Sequence, residues 1–197
     1  MESILLPIMS FAFATCITPG PNNIMLTASG ANFGFFRTIP HLLGISFGFE
    51  CLLFAFAFGF NALFSNYPNL QVTLKIASSM YLLYLAWKIA AMKKADDLKK
   101  KNKPITFLQA ATFQLLNPKA MMMAISAMST FTLGGENYRY SAFLVMLIFL
   151  AILLPCNSAW AVFGISIGKF LKGNRAFRTF NLMMGVLTAS SVIMILM

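Results

Sequence analysis

Long apolar runs separated by short polar links follow one another along the whole chain and predict six transmembrane helices. Each run exceeds the roughly 20 residues that an α-helix needs to cross the hydrocarbon core of a bilayer. The predicted spans are residues 4–34, 40–63, 70–92, 105–132, 141–168 and 177–197. Since the runs and links account for nearly every residue, we expect one transmembrane domain over residues 1–197 and no separate soluble domain.

Two of the six runs are interrupted by residues that cannot continue an α-helix without losing backbone hydrogen bonds. The interruptions are Thr18, Pro19, Gly20, Pro21, Asn22 and Asn23 in the first run, and Asn117, Pro118 and Lys119 in the fourth. Backbone groups freed in lipid find no water, so each break must face protein or a wet cavity. Broken helices in corresponding halves of a chain indicate a transporter site near the membrane midplane.

Three spans in each half indicate an inverted repeat, because an odd number of crossings makes the second half enter the membrane from the opposite side. We place repeat one at about residues 1–92, a basic link at 93–104 and repeat two at about 105–197. Superposing Pro19 on Pro118 shows little sequence identity, so this prediction rests on the breaks and the span count. The expected fold is an all-α polytopic membrane protein of two inverted three-helix repeats with broken helices 1 and 4.

Lysine and arginine residues collect in the links after spans 1, 3 and 5. They are Arg37, then Lys93, Lys94, Lys99, Lys100, Lys101 and Lys103, then Lys169, Lys172, Arg175 and Arg178. The link after span 2 has no basic residue, and the link after span 4 has Arg139 beside Glu136. The positive-inside rule then predicts cytoplasmic odd-numbered links and periplasmic termini. Contact of the lysine run with anionic lipid or with a cytoplasmic partner is the alternative.

Composition agrees with a membrane protein, since 59% of the residues are hydrophobic and 10% are charged, against about 25% charged in soluble domains. The net charge of +10 is interpreted as a topology signal, and no nucleic-acid partner is expected. The cysteines Cys16, Cys51 and Cys156 all lie inside apolar runs, so neither a disulfide framework nor a metal or other cofactor is expected. The N-terminus lacks the basic region of a cleavable signal peptide, so the first span is expected to be retained.

Two charged residues lie deep in the predicted spans. Glu50 is the only carboxylate inside any of them, so it should line a cavity, pair with a cation or hold a proton. A structural glutamate bonded to a neighbouring helix is the alternative. Lys119 begins a half-helix, where the helix dipole opposes a cation, so it should need a nearby anion, either Glu50 or a substrate carboxylate. His41 adjoins Pro40 at the start of span 2. It is either a histidine at the membrane interface without a specific role or part of a proton relay.

Small residues recur at helical spacing in span 2 and are suited to close packing of helix backbones. They are Gly44, Gly48, Cys51, Ala55, Gly59 and Ala62. Uncharged amides also lie at membrane depth, at Asn22, Asn23, Asn117, Asn157 and Gln114. Such amides either join helices or contact a ligand, and their clustering at the breaks favours ligand contacts for the first three.

Several motifs together resemble the LysE/RhtB family of bacterial amino-acid exporters. They are Thr18-Pro19-Gly20-Pro21-Asn22, Gly44-x-x-x-Gly48, the run from Tyr81 to Lys88, and Asn117-Pro118-Lys119-Ala120. The stretches Lys103 to Phe107, Ser129 to Phe131 and Asn157 to Gly164 resemble the cysteine and O-acetylserine exporter branch. The family commonly has an acidic residue directly after the second glycine of span 2, where this chain has Phe49 followed by Glu50. The resemblance implies an inner-membrane exporter coupled to the proton gradient.

We therefore expect a secondary exporter of a small neutral amino acid or derivative, working by proton antiport in a bacterial inner membrane. The predicted substrate-binding residues are Thr18, Pro19, Gly20, Pro21, Asn22, Asn23, Asn117, Pro118, Lys119 and Asn157, with Glu50 for proton coupling. A passive channel and a cation exporter are the alternatives, although one deep acid is poor ligation for a divalent ion. An intramembrane enzyme is not expected, because no nucleophile and base are paired. Assembly as a homo-oligomer stays open.

Overall fold

The structure is a computed structural model that describes residues 2–59, 68–92, 103–171 and 173–196. Those residues form seven α-helices and one 3-10 turn, without a strand. The helices are α1 (Glu2–Ile17), α2 (Pro21–Ala57), α3 (Pro68–Ala90), α4 (Phe107–Leu116), α5 (Pro118–Phe131), α6 (Tyr138–Phe170) and α7 (Asn174–Leu196). The turn at Gly135–Asn137 leads directly into α6. The predicted all-α class is confirmed.

Long apolar helices make this a membrane protein. Within the described residues, three helical stretches are long and apolar enough to cross a membrane, at Pro21–Ala57, Gly135–Phe170 and Asn174–Ile193. The shorter apolar helices Ile4–Ile17 and Phe107–Leu116 each end at one of the predicted breaks. The count of six crossings and the inverted arrangement stay predictions.

Both helix breaks lie where the sequence places them, and local chemistry explains each. Gly20 is fully extended, with φ −171° and ψ 179°, and Pro21 opens α2 at a position where a missing N–H is harmless. Asn117 ends α4 and caps α5, because its side-chain oxygen accepts the N–H of Lys119 at 3.1 Å. The start of α4 is fixed by a capping box between Thr106 and Gln109.

The long helix α2 reverses direction at Gly34, which has φ 75° and ψ 177°, a conformation essentially restricted to glycine. We call residues 21–33 the first arm of α2 and residues 35–57 its second arm. Ser29 Oγ and Thr38 Oγ1 lie 3.2 Å apart across nine residues, which would span about 13.5 Å in a straight helix. The two arms therefore form an antiparallel hairpin. The sequence had placed a link between residues 34 and 40, whereas the whole reversal occurs at one glycine.

Backbone-to-backbone contacts hold the first arm of α2 against α6. A Cβ built on Gly30 would overlap the carbonyl of Ala161 in α6, and one on Gly164 would overlap the carbonyl of Thr27. Such close approach between helices in a membrane requires small residues. The remaining large contacts pack α1 against α6 and α3 against α7.

The small-residue stripe predicted for the second arm is confirmed in part. Cβ atoms at Gly44 and Gly48 would collide with the backbone of α4, at Phe107 and Ala111 respectively. Farther along, Cys51 is exposed and Gly59 has open space beside it, so the close packing does not extend to these two positions. Ala62 lies outside the described residues.

The predicted topology can be tested by labelling, since most of the lysine-rich link and Met197 lie outside the described residues. Single cysteines would be placed at Lys103 and at Gly134 after the native Cys16, Cys51 and Cys156 are replaced by alanine. A membrane-impermeant maleimide added from the periplasm is expected to label position 134 and not position 103, as the positive-inside rule requires. The predicted orientation would be contradicted if position 134 were labelled only after the membrane is disrupted, or if position 103 were labelled in intact membranes.

Candidate functional site

A small central cavity lies where the two helix breaks meet α6. Its volume is about 30 Å³, room for about two ordered water molecules. Six predicted binding residues line it, namely Gly20, Asn22, Asn23, Asn117, Lys119 and Asn157. Of the described residues that form its wall, none is an aspartate or a glutamate. The cavity therefore combines amide groups and one cationic side chain with apolar walls, and it is too small for an amino acid in this state.

A second cavity of about 280 Å³ adjoins the breaks on the side of α7, where Ser191 lines it. The predicted residues Pro19, Pro21 and Pro118 contribute to its wall. Gly20, Asn117 and Lys119 line both cavities. These three residues thus form the partition between the small central cavity and the larger one beside it.

The side chain of Lys119 crosses this partition and binds the end of α1. Its Nζ donates a hydrogen bond to the carbonyl of Thr18 at 2.5 Å. Carbonyl groups at a helix C-terminus carry partial negative charge, which stabilises the ammonium. Among the described residues Lys119 has no acidic partner, so the anion expected from the sequence is replaced by a backbone carbonyl. All ten predicted binding residues are accordingly gathered around the two cavities or bonded across the partition.

Gly20 leaves the space that the lysine occupies. A Cβ built on Gly20 would lie 2.9 Å from Cδ of Lys119 and 3.2 Å from its Nζ. Any larger residue would therefore press on the lysine and move it. The glycine of the first break and the lysine of the second form one structural unit.

Amide side chains connect the breaks to each other. Asn23 Nδ2 donates to the carbonyls of Cys16 at 3.1 Å and Thr18 at 2.8 Å, which satisfies the end of α1. Asn22 and Gln114 exchange two hydrogen bonds, at 2.8 and 3.1 Å, and so join the start of α2 to the last turn of α4. Gln114 was recognised in the sequence as a polar residue at depth, but nothing local distinguished it as part of the site.

Asn157 of α6 lines the central cavity and has an unused donor. The residue is 1% exposed, and its Nδ2 has no hydrogen-bond partner among the described residues. An unsatisfied buried donor costs about 1 to 3 kcal/mol. The first N–H groups of α2 are also open, because Gly20 provides no side-chain cap. The cavity thus offers several donors to an anionic group.

Glu50 lies outside the walls of both cavities, and Phe49 faces the central one instead. The ring of Phe49 packs against Phe149 with centroids 5.3 Å apart. Because the second arm is regularly helical here, the next residue points about 100° farther round the helix. One carboxylate oxygen of Glu50, Oε1, is buried without a hydrogen-bond partner in the described part of the chain. A proton-coupling role for Glu50 stays a prediction.

His41 is fully buried, and neither ring nitrogen has a hydrogen-bond partner among the described residues. It lies outside the walls of both cavities. The position next to Pro40 suggested a residue at the end of a span, whereas the helix continues past it on both sides. Its burial follows from packing of the second arm, which the sequence alone does not reveal.

Comparisons with known proteins agree on one family. The family model described as LysE type translocator matches residues 13–196. A cysteine/O-acetylserine efflux protein of Salmonella paratyphi A is 35% identical over 124 residues, which is 63% of this chain and 63% of that protein. The protein of the same name from Escherichia coli O157:H7 is 33% identical over 132 residues, 66% of this chain and 67% of that protein. The match thus spans just under two thirds of the Salmonella relative's length, and no solved structure matches the chain.

Proposed function

The chain belongs to the LysE translocator family, and from this membership we propose that it exports a small neutral amino acid or derivative across a bacterial inner membrane. Translocators move their substrates unchanged, so the protein is a transporter and not an enzyme. The relatives named as cysteine/O-acetylserine efflux proteins support substrates of that chemical class.

The observation that carries the proposal is the cluster of free donors at the first helix break. The substrate carboxylate would bind the open N–H groups at the start of α2, where the helix dipole favours negative charge. Asn157 lines the same cavity and its Nδ2 lacks a partner, so it would supply a second, independent donor. The start of α5 is less available, because Asn117 already caps it.

Transport requires the central cavity to open, since an amino acid is several times larger than the water molecules that fit in about 30 Å³. We propose that two inverted repeats move against each other around the site. The order of the elements supports this, because it is the same in both halves. In the first half, α1 and the first arm of α2 form the broken helix, and the second arm of α2 and then α3 follow. In the second half, α4 and α5 form the broken helix, and α6 and then α7 follow. The last helices of the two halves, α3 and α7, also pack against each other.

Proton antiport is the proposed source of energy, with Glu50 as the coupling group. A carboxyl group at membrane depth with an unpartnered oxygen is a candidate for taking up and releasing a proton. Its place outside the cavity walls means that it would act through movement of the second arm and not by touching the substrate.

The proposed function is tested with purified protein in liposomes. Labelled O-acetylserine and cysteine are expected to accumulate against their gradients when a proton gradient is imposed, and an uncoupler should abolish this. Equilibration without accumulation would support a passive channel. Transport of a divalent cation in place of amino acids would overturn the proposal.

Glu50→Gln is expected to reduce gradient-driven accumulation to the level of protein-free liposomes, because a glutamine amide cannot take up and release a proton as a carboxyl group does. Substrate counterflow, which needs no net proton movement, should persist. Glu136→Gln is the matched control, since this glutamate is exposed in the 3-10 turn. Full accumulation by Glu50→Gln would remove the residue from the coupling mechanism, and loss of folded protein would assign it a structural role.

A further inference from the structure

An ammonium group already occupies the carbonyl end of α1. Lys119 Nζ donates to the Thr18 carbonyl at 2.5 Å, and Asn23 Nδ2 donates to the same oxygen at 2.8 Å. The last carbonyls of a helix lack intrahelical partners and carry partial negative charge. The contact with Lys119 therefore shows that the carbonyl end of α1 can accept a primary ammonium group.

We propose that the ammonium group of the exported amino acid binds this same carbonyl end of α1, in the place that Lys119 holds in the described state. This inference rests on the proposed function. A lysine ammonium presents three N–H donors, as the α-ammonium of an amino acid does. Since no acidic residue is found in the described wall of the central cavity, backbone carbonyls are the acceptors suited to a cation there.

The first helix break would then recognise both charges of a zwitterion. The carbonyl end of α1 takes the ammonium, while the N–H end of α2 and Asn157 take the carboxylate. The two helix ends are separated along the chain only by residues 18–20. A neutral amino acid, in which both charges belong to one carbon atom, matches this arrangement.

Departure of the lysine also provides the space that the substrate needs. Lys119, with Gly20 and Asn117, separates the central cavity of about 30 Å³ from the neighbouring one of about 280 Å³. When the lysine leaves Thr18, the partition opens and the two spaces join. Lys119 is thus both a substitute for the substrate ammonium and a wall of the empty site.

The opposite assignment, in which Lys119 binds the substrate carboxylate, predicts the opposite result. The deciding experiment measures the Kd of O-acetylserine by calorimetry for the wild type, Lys119→Met and Lys119→Gln in detergent. Because O-acetylserine is a zwitterion without net charge, removal of the Lys119 charge does not by itself strengthen or weaken its binding. We expect binding to tighten at least about tenfold, because a competitor that occupies the subsite most of the time is removed.

Two analogues identify the subsite that changes. O-acetylethanolamine, which lacks the carboxylate, should gain affinity in both variants by a similar factor, whereas 3-acetoxypropionate, which lacks the ammonium, should not gain. Lys119→Gln keeps a neutral donor for the Thr18 carbonyl and serves where Lys119→Met does not fold. Lys169→Met is the control, since this lysine is exposed near the end of α6 and lines neither cavity.

Unchanged or weaker O-acetylserine binding in the folded Lys119 variants overturns the inference while leaving the proposed function intact. Absence of binding by the wild type to O-acetylserine, cysteine and other neutral amino acids overturns the proposed function, and the inference falls with it. These two failures are distinguished by the wild-type titration alone.

Discussion

Gly164→Val is expected to destabilise the protein severely, because the residue touches the backbone of the neighbouring helix. A Cβ at this position would overlap the Thr27 carbonyl oxygen and lie 2.8 Å from its carbon. Backbone cannot rotate away as a side chain can, so the first arm of α2 and α6 must separate. Overpacking usually costs about 1 to 3 kcal/mol, and this site should reach the upper end of that range.

The measurement is thermal unfolding of purified protein in detergent. A loss of about 3 kcal/mol corresponds to a fall of roughly 10 °C in Tm for a chain of this size, and Gly164→Ala should give a smaller fall. Gly134→Val is the matched control, since nothing lies within 4 Å of its Cβ position and its φ of −77° suits any residue. Equal Tm values for the Gly164 and Gly134 variants would show that the two helices are not held in backbone contact.

Local chemistry explains why the helix breaks could be predicted from the sequence. Proline, glycine and asparagine act on their own backbone, so Pro21 and Pro118 mark the first residues of α2 and α5 without reference to the rest of the chain. The reversal at Gly34 was less visible, because one left-handed glycine replaces a whole link and the flanking residues remain helical.

Partners that lie far apart in the sequence explain what could not be predicted. Gln114 bonds Asn22 from 92 residues away, and Lys119 bonds the Thr18 carbonyl from 101 residues away. A backbone acceptor leaves no trace in residue identity, so the sequence suggested a carboxylate for Lys119. Likewise the charge of Glu50 drew attention to it, whereas packing of the second arm turns Phe49 toward the cavity.

The difference between Asn157 and Asn181 shows how a binding amide is distinguished from a structural one. Both side chains are almost completely buried, at 1% and 0% exposure. Asn181 exchanges hydrogen bonds with Asn32 at 2.6 and 2.9 Å, so its donors and acceptor serve the fold. Asn157 Nδ2 has no such partner in the described residues. Removal of each side chain should therefore have opposite consequences.

Asn157→Leu is expected to abolish high-affinity substrate binding while leaving the protein at least as stable as the wild type. Leucine has a similar volume and removes an unsatisfied donor, which by itself costs stability. A hydrogen bond to a charged group contributes about 1.5 to 3 kcal/mol, so loss of the bond to the substrate carboxylate should weaken O-acetylserine binding by about 10- to 150-fold. The matched variant Asn181→Leu should instead lower the Tm and keep the wild-type Kd, since Asn32 loses both of its hydrogen bonds to Asn181.

Substrate-induced thermal shift measures both quantities in one experiment, because a ligand that binds only the folded state raises its apparent stability. The expected pattern is a high Tm with a much reduced ligand shift for Asn157→Leu, and a low Tm with a full shift for Asn181→Leu. A full shift in Asn157→Leu would show that the carboxylate is held without this amide. The carboxylate site would then be confined to the uncapped start of α2 at the first helix break.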